Sequence, residues 1–231
     1  MERGADMTRM KGVRKGLYLI LTDPPKGYER MTEMAVAEGL PVVQLRYKGD
    51  DVREFLALAH AMREITRGTD TKLIINDRVD IALMSCADGI HLGQNDVSPE
   101  EARAIMGETM IIGLSTHNLD QVDKAQSEPV DYIGFGPVYK PFSKENYDPV
   151  TGVEILRLAV GKSRLPVTAI GGINRERLDE IAGIPCHNIA CIGSIELAED
   201  PAAEMRTIQA KIWRSVMIFR SSGRGSLDPT G

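Results

Sequence analysis

Short apolar runs alternate along the chain with longer stretches whose apolar positions recur every three or four residues. The runs Leu17–Thr22, Val42–Arg46, Lys72–Asn76, Gly89–Leu92, Met110–Ser115, Asp131–Phe135, Pro166–Ile170 and His187–Ile192 are rich in Ile, Val and Leu. They lack strict polar alternation, the pattern of strands buried on both faces. Between them Tyr28–Glu38, Val52–Thr66, Val79–Ser85, Pro99–Met106, Leu119–Gln126, Thr151–Val160, Arg175–Ala182 and Pro201–Arg214 read as helices. In Val52–Thr66, Phe55, Leu56, Ala59, Met62 and Ile65 make one apolar stripe at helical spacing. Asn118 and Asn174 stand where helix N-caps belong, and Ser98-Pro99 reads as N-cap followed by the first helical position.

Alternating strands and helices imply a parallel sheet. Eight such units predict the α/β class and a closed (β/α)8 TIM barrel, a single domain over residues 17–214. An open Rossmann-type sheet would want G-x-G-x-x-G after the first strand, which ends instead in Thr22-Asp23-Pro24-Pro25. Residues 1–16 read as an N-terminal tail. Residues 215–231 read as a flexible C-terminal tail, with Ser221-Ser222-Gly223 and Gly225-Ser226.

Composition narrows the picture modestly. The 231 residues are 42% hydrophobic and 26% charged, ordinary for one globular domain. No apolar run approaches the ~18 residues of a membrane helix, and the start lacks the apolar region of a signal peptide. A cytoplasmic location with no membrane partner is expected. The net charge of −5 gives no footprint for nucleic acid but leaves phosphorylated metabolites open. Cys86, Cys186 and Cys191 are too few and too scattered for a disulfide framework, which fits a reducing compartment. Each is expected to pack as a small hydrophobe. His60, His91, His117 and His187 show no zinc-ligand spacing.

In such a barrel the chemistry sits at the C-terminal ends of the strands. After the second strand, Gln44, Arg46 and Lys48 fall on one side of an extended segment and suit a phosphate or diphosphate; pairing with Asp50 and Asp51 is the plainer alternative. Asp77, after Asn76, and Asp96 end neighbouring strands, and two carboxylates there suit Mg²⁺ completed by water and phosphate oxygens. The competing roles are an Asp77–Arg78 pair and a turn capped by Asp96. Ser115 offers a hydroxyl after the fifth strand, with no nucleophile elbow around it. A long loop after the sixth, Tyr139–Val150, carries Lys140, Ser143 and Lys144 and has the length of a lid. The seventh and eighth strands end in Gly171-Gly172 and Ile192-Gly193-Ser194. There glycine lets backbone amides close on an anion, at the usual phosphate position of this fold.

Several of these segments together resemble the thiamine-phosphate synthase family, also called thiamine-phosphate pyrophosphorylase. They are Val43–Lys48, Ile75–Asp80, Gly89–Asp96, Gly113–His117, Asp131–Tyr139 and Ala169–Ile173. The resemblance implies a transferase of thiamine biosynthesis. It would join hydroxymethylpyrimidine diphosphate to hydroxyethylthiazole phosphate and release diphosphate. It implies Arg46, Lys48 and Lys144 as catalytic cations and Gln44, Asn76 and Ser115 as further contacts to the pyrimidine diphosphate. Asp77 and Asp96 would be magnesium ligands, and Gly172, Ile192 and Gly193 the cradle of the thiazole phosphate, with Ser143 nearby. The partners implied are small molecules; a homo-oligomer stays open. Two departures stand out. The family's Thr-x-Thr-Lys reads Pro141-Phe142-Ser143-Lys144 here, and its Val-Ser-Ala-Ile reads Ile192-Gly193-Ser194-Ile195. Both touch the thiazole side. The alternatives are a thiazole tautomerase on the same barrel, with His117 as acid or base, and a phosphate-ligand sensor without turnover.

Overall fold

The strands expected from the apolar runs are β1 (Gly16–Leu21), β2 (Val42–Leu45), β3 (Lys72–Asn76), β4 (Gly89–Leu92), β5 (Ile111–Thr116), β6 (Tyr132–Phe135), β7 (Val167–Ala169) and β8 (Asn188–Cys191). In the computed structural model, which describes residues 12–140 and 148–221 (backbone alone over 215–221), they form a closed parallel barrel in chain order. Gly16–Leu19 of β1 pair with Asn188–Cys191 of β8 and close it. The helices α1 (Tyr28–Ala37), α2 (Val52–Thr66), α3 (Val79–Met84), α4 (Pro99–Met106), α5 (Leu119–Ala125) and α6 (Gly152–Lys162) each follow one strand of β1–β6. After β8 come α7 (Gly193–Glu196) and α8 (Pro201–Ser221). Among the described residues no helix is long and apolar enough to cross a membrane.

Period-two alternation sorts each strand between two cores. One parity faces the helices: Leu17, Leu19 and Leu21 of β1 join Val43, Leu45, Leu73, Ile75 and the buried helix faces. The other parity faces the barrel axis, where Tyr18, Ile20, Val42, Ile74, Ile111, Tyr132 and Ala190 pack together. Continuing that inward parity upward places Gln44, Arg46, Asn76, His91 and Ser115 around the upper opening.

The caps are as the sequence suggests. Ser98 and Glu101 form a capping box around Pro99, and the Asn118 side chain accepts from the Gln121 amide. The Asn174 carboxamide accepts from the Arg177 amide at 3.0 Å, but the helix expected over Arg175–Ala182 is a single 3₁₀ turn, Arg177–Asp179. Gly183, at φ 84°, and Pro185 stop the segment before an α-helix can extend. The helix α7 was not expected. It forms because Ile192 leaves the strand conformation, so that Ile195 and Glu196 donate to its carbonyl. The last helix runs to Ser221, past the Arg214 where the pattern placed its end. Cys186 and Cys191 are buried, whereas Cys86 is exposed, contrary to expectation. Its φ of 55° at the end of α3 turns it outward.

The lower, N-terminal end of the barrel is stapled by satisfied acids. Asp88 accepts from Arg63 at 2.9 Å and from the Leu73 amide at 2.9 Å. Asp131 accepts from Arg103 at 2.7 Å and from the Ile112 amide at 2.8 Å.

Candidate active site

A cavity of about 440 Å³ opens at the C-terminal ends of the strands. It is lined by Gln44, Arg46, Asn76, Asp77, Asp96, Ser115, Gly172, Ile192 and Gly193, with Tyr18, Tyr132 and Thr168 below them. Two expected residues, Ser143 and Lys144, lie outside the described residues, as does Pro141.

On the β2–β4 side the polar groups come in contact pairs. Gln44 is buried and donates from Nε2 to Asn76 Oδ1 at 2.8 Å, so two strands fix each other's inward amides. Arg46 continues β2 by one residue, its amide bonding the Leu21 carbonyl at 2.8 Å. Burial lowers the pKa of its guanidinium, and the charges of Asp77 and Glu196 pull the other way. Lys48 is exposed and does not line the cavity. Its ammonium is lowered by partial burial and by Arg46, and raised by Asp77, so all three charges share one field.

Asp77 sits at φ 64°, a left-handed turn that a non-glycine residue rarely adopts, with its amide held by the His91 carbonyl at 2.9 Å. Arg78 does not pair with it; it grips Asp80 through two bonds of 2.8 and 2.5 Å. Asp96 does cap its turn, accepting from the Gly93 amide at 2.7 Å, and it also meets Asp77. The Asp77 carboxyl is pushed up to about 6, first by burial and then by its bond to Asp96 and the charge there, against the pull of Arg46 and Lys48. Two carboxylates that oppose each other beside cations are relieved by a hard cation between them. Among the described residues no third Asp, Glu, His or Cys joins such a cluster. Two carboxylates alone make no closed metal site; as hard oxygen donors they are compatible with Mg²⁺ only where waters and phosphate oxygens would fill its other positions.

Ser115 Oγ lies 2.9 Å from His91 Nε2, and His91 Nδ1 lies 2.9 Å from the Tyr132 hydroxyl. The Tyr132 and Tyr18 hydroxyls are 2.9 Å apart. Burial pushes His91 down to about 4 and keeps it neutral. Sequence reading had not singled out His91, Tyr132 or Tyr18 as site groups. The signal was available: each is a polar residue at inward parity among apolar neighbours. His117, the acid or base of the tautomerase alternative, bonds the Gly136 carbonyl through Nδ1 at 2.7 Å, with Asp148 3.7 Å from Nε2.

The β6–β8 side is built from backbone. Gly172 has φ 61°, and a Cβ there would fall 2.4 Å from the Lys140 carbonyl oxygen; at Gly171 it would fall 2.4 Å from Pro137 Cα. Only glycine lets these two loops touch. Arg177 donates to the Gly172 carbonyl at 2.6 Å and stacks 4.8 Å over the Tyr139 ring. Ile192 and Gly193 open α7, whose first amides have no partner within the helix. The Thr22 amide donates to buried Glu196 at 2.5 Å and ties α7 to the end of β1. The loop after β6 is pinned at both ends. Val138 and Tyr139 donate to Ile170 and Gly171 at 2.9 and 3.0 Å, and Thr151 and Gly152 return to Pro137 and Val138 at 2.8 and 3.2 Å.

Residues 17–195 match the model of a protein family described as thiamine monophosphate synthase. A thiamine-phosphate synthase of Vibrio campbellii is 40% identical over 189 residues, covering 81% of this chain and 93% of its own. Thiamine-phosphate synthase 1 of Aquifex aeolicus is 43% identical over 163 residues, covering 71% of this chain and 75% of its own. Among solved structures, the thiamine phosphate pyrophosphorylase of Pyrococcus furiosus superposes with a TM-score of 0.80 at 30% identity, over 90% of this chain and 98% of that one.

Proposed function

From the premise that the chain belongs to the thiamine monophosphate synthase family and is a transferase of that kind, we propose that it joins hydroxymethylpyrimidine diphosphate to hydroxyethylthiazole phosphate, releasing diphosphate. The observation that carries this reading is the meeting of Asp77 with Asp96 beside Arg46 at the cavity mouth. A monophosphate isomerase needs no such clamp.

The bond to break joins the pyrimidine methylene carbon to a diphosphate oxygen. Its electron pair leaves with the diphosphate, and the ring nitrogen of the thiazole then bonds the methylene carbon. The electron-rich aminopyrimidine stabilises the charge left on that carbon. No protein nucleophile or general base is required; the protein must stabilise charge that builds on the leaving group. Arg46 supplies positive charge at the cavity wall, Lys48 adds charge from just outside it, and Lys144 adds a third cation from the loop after β6. Asp77 and Asp96 would hold Mg²⁺, which when bound neutralises phosphate charge. Gln44, Asn76 and Ser115 orient the pyrimidine diphosphate. Gly172, Ile192 and Gly193, with Ser143 nearby, receive the thiazole phosphate, so the two reactants meet in line. A cytoplasmic location belongs to the same reading.

Mixing both substrates with Mg²⁺ and following diphosphate tests it. Release that requires both substrates is expected. Conversion of the thiazole phosphate alone would make the protein a tautomerase, and binding without turnover would make it a sensor.

A further inference from the structure

The chain of hydrogen bonds under Ser115 has a direction that can be worked out by counting protons. It runs Ser115 Oγ, His91 Nε2, His91 Nδ1, Tyr132 hydroxyl, Tyr18 hydroxyl, with each link 2.9 Å long. The register makes room for it: His91 stands opposite Gly113, Gly113 opposite Tyr132, and Ser115 opposite Gly134. A Cβ at Gly113 would lie 2.1 Å from Tyr132 Cζ, and one at Gly134 would lie 3.1 Å from His91 Cε1.

Neutral imidazole carries one proton, on Nδ1 or on Nε2. With the proton on Nδ1, His91 donates to Tyr132 and Ser115 must donate to Nε2. Whichever phenol then donates to the other, one phenol proton has no acceptor among the described residues. Tyr132 is fully buried and Tyr18 is 1% exposed, so that donor could be met only by solvent admitted to the floor of the cavity both tyrosines line, which the closed alternative does without. With the proton on Nε2, every link closes: Tyr18 donates to Tyr132, Tyr132 to Nδ1, and Nε2–H to Ser115. The one proton left over belongs to Ser115, at the cavity wall.

We propose that His91 is a positioning residue, held as its Nε2–H tautomer by Tyr132 and Tyr18, which obliges Ser115 to donate its hydroxyl proton toward an acceptor-only oxyanion in the cavity. A serine free to rotate would spend its proton on the imidazole. This one has no such choice. The oxyanion is the leaving diphosphate, and to that extent the inference rests on the proposed function.

Two experiments on the full-length protein test it separately. Nitrogen-15 NMR of histidine-labelled, substrate-free protein, with His91 assigned by its loss in His91→Gln, reads the tautomer without any turnover. A protonated Nε2 with a bare Nδ1 is expected. A protonated Nδ1 would overturn the inference and leave the proposed function standing. In steady-state kinetics, Ser115→Ala is expected to lower kcat roughly tenfold to a hundredfold, the scale of one hydrogen bond to a charged group. Tyr132→Phe, which keeps the ring, is expected to lower kcat several-fold with the KM for thiazole phosphate unchanged, and to add no loss on top of Ser115→Ala. His91→Gln, whose amide can donate as Nε2–H does, should recover most of what His91→Leu loses. Equal losses from Tyr132→Phe with and without Ser115→Ala would show that the tyrosine does not act through the serine. An unchanged kcat in Ser115→Ala would overturn both the diphosphate contact and the relay built on it.

Discussion

The two ends of the barrel use the same residue type in opposite ways. At the lower end Asp88 and Asp131 each meet an arginine and a backbone amide. At the upper end Asp77 and Asp96 meet each other, with the charges of Arg46 and Lys48 acting on Asp77. An acid given a cation and an amide is finished and holds strands together. Two acids set against each other remain electrostatically incomplete, and in the proposed reading a divalent cation and a polyphosphate would complete them. The contrast separates stability from function within one barrel.

The largest expected effect breaks the lower end. Asp131→Ala leaves the Arg103 guanidinium, 10% exposed, with the Pro129, Gly107 and Met110 carbonyls but no carboxylate in Asp131's place, takes the acceptor from the Ile112 amide, and should cost about 3–5 kcal/mol in chemical denaturation. The remaining folded enzyme should keep its kcat and both KM values. Asp77→Ala is the mirror image. Turnover with both substrates should fall by about 100-fold or more in saturating Mg²⁺, while the stability of the metal-free protein at neutral pH should not fall. Near-normal turnover would remove Asp77 from the metal site.

Lys144→Ala sharpens the division within the upper end. If its charge serves the leaving diphosphate, kcat should fall by more than the thiazole-phosphate KM rises. A raised KM alone would assign the lysine to the other phosphate. Pro141→Thr restores a hydroxyl and an amide N–H to that side and should tighten the thiazole phosphate by roughly tenfold, the lower scale of a hydrogen bond to a charged group. Lys140→Ala should loosen it. The pyrimidine-diphosphate KM should stay put in both.

The smallest effect is in pH. In metal-free protein the Asp77 carboxyl titrates near 6 when folded, above its ordinary value of 3.8. The folded state then binds more protons than the unfolded one between these values, so this group's stabilisation is present below 3.8 and is lost as pH rises through about 6. Asp77→Asn should flatten that fall in a melting-temperature profile taken in chelator, and saturating Mg²⁺ should reverse it.

Much of this contrast was legible in the chain. Strand parity put Gln44, Arg46 and Lys48 on one side, of which Gln44 and Arg46 line the cavity and Lys48 does not, and the end of each strand named Asn76, Asp77, Asp96, Ser115 and Gly172, because a parallel barrel gathers every strand's C-terminal end at one rim. What escaped was what depends on neighbours across the barrel. His91 became part of the site only because Gly113 and Gly134 leave room beside it for Tyr132. The helix α7 depends on a backbone turn at Ile192 that no residue type announces. Cys86 looked apolar by its neighbours, yet a left-handed helix end turns it to solvent.

In the proposed reading the acid pair serves a diphosphate that carries metal, while the glycine-lined side takes a phosphate without metal. Calorimetric titration of metal-free protein with each substrate, with and without Mg²⁺, tests it most directly. Mg²⁺ is expected to tighten the pyrimidine diphosphate by about tenfold or more, the scale of losing or gaining one charge-assisted contact, and to leave the thiazole phosphate unchanged. Asp77→Asn should abolish the metal dependence. Equal tightening of both substrates by Mg²⁺, or of neither, would contradict the account.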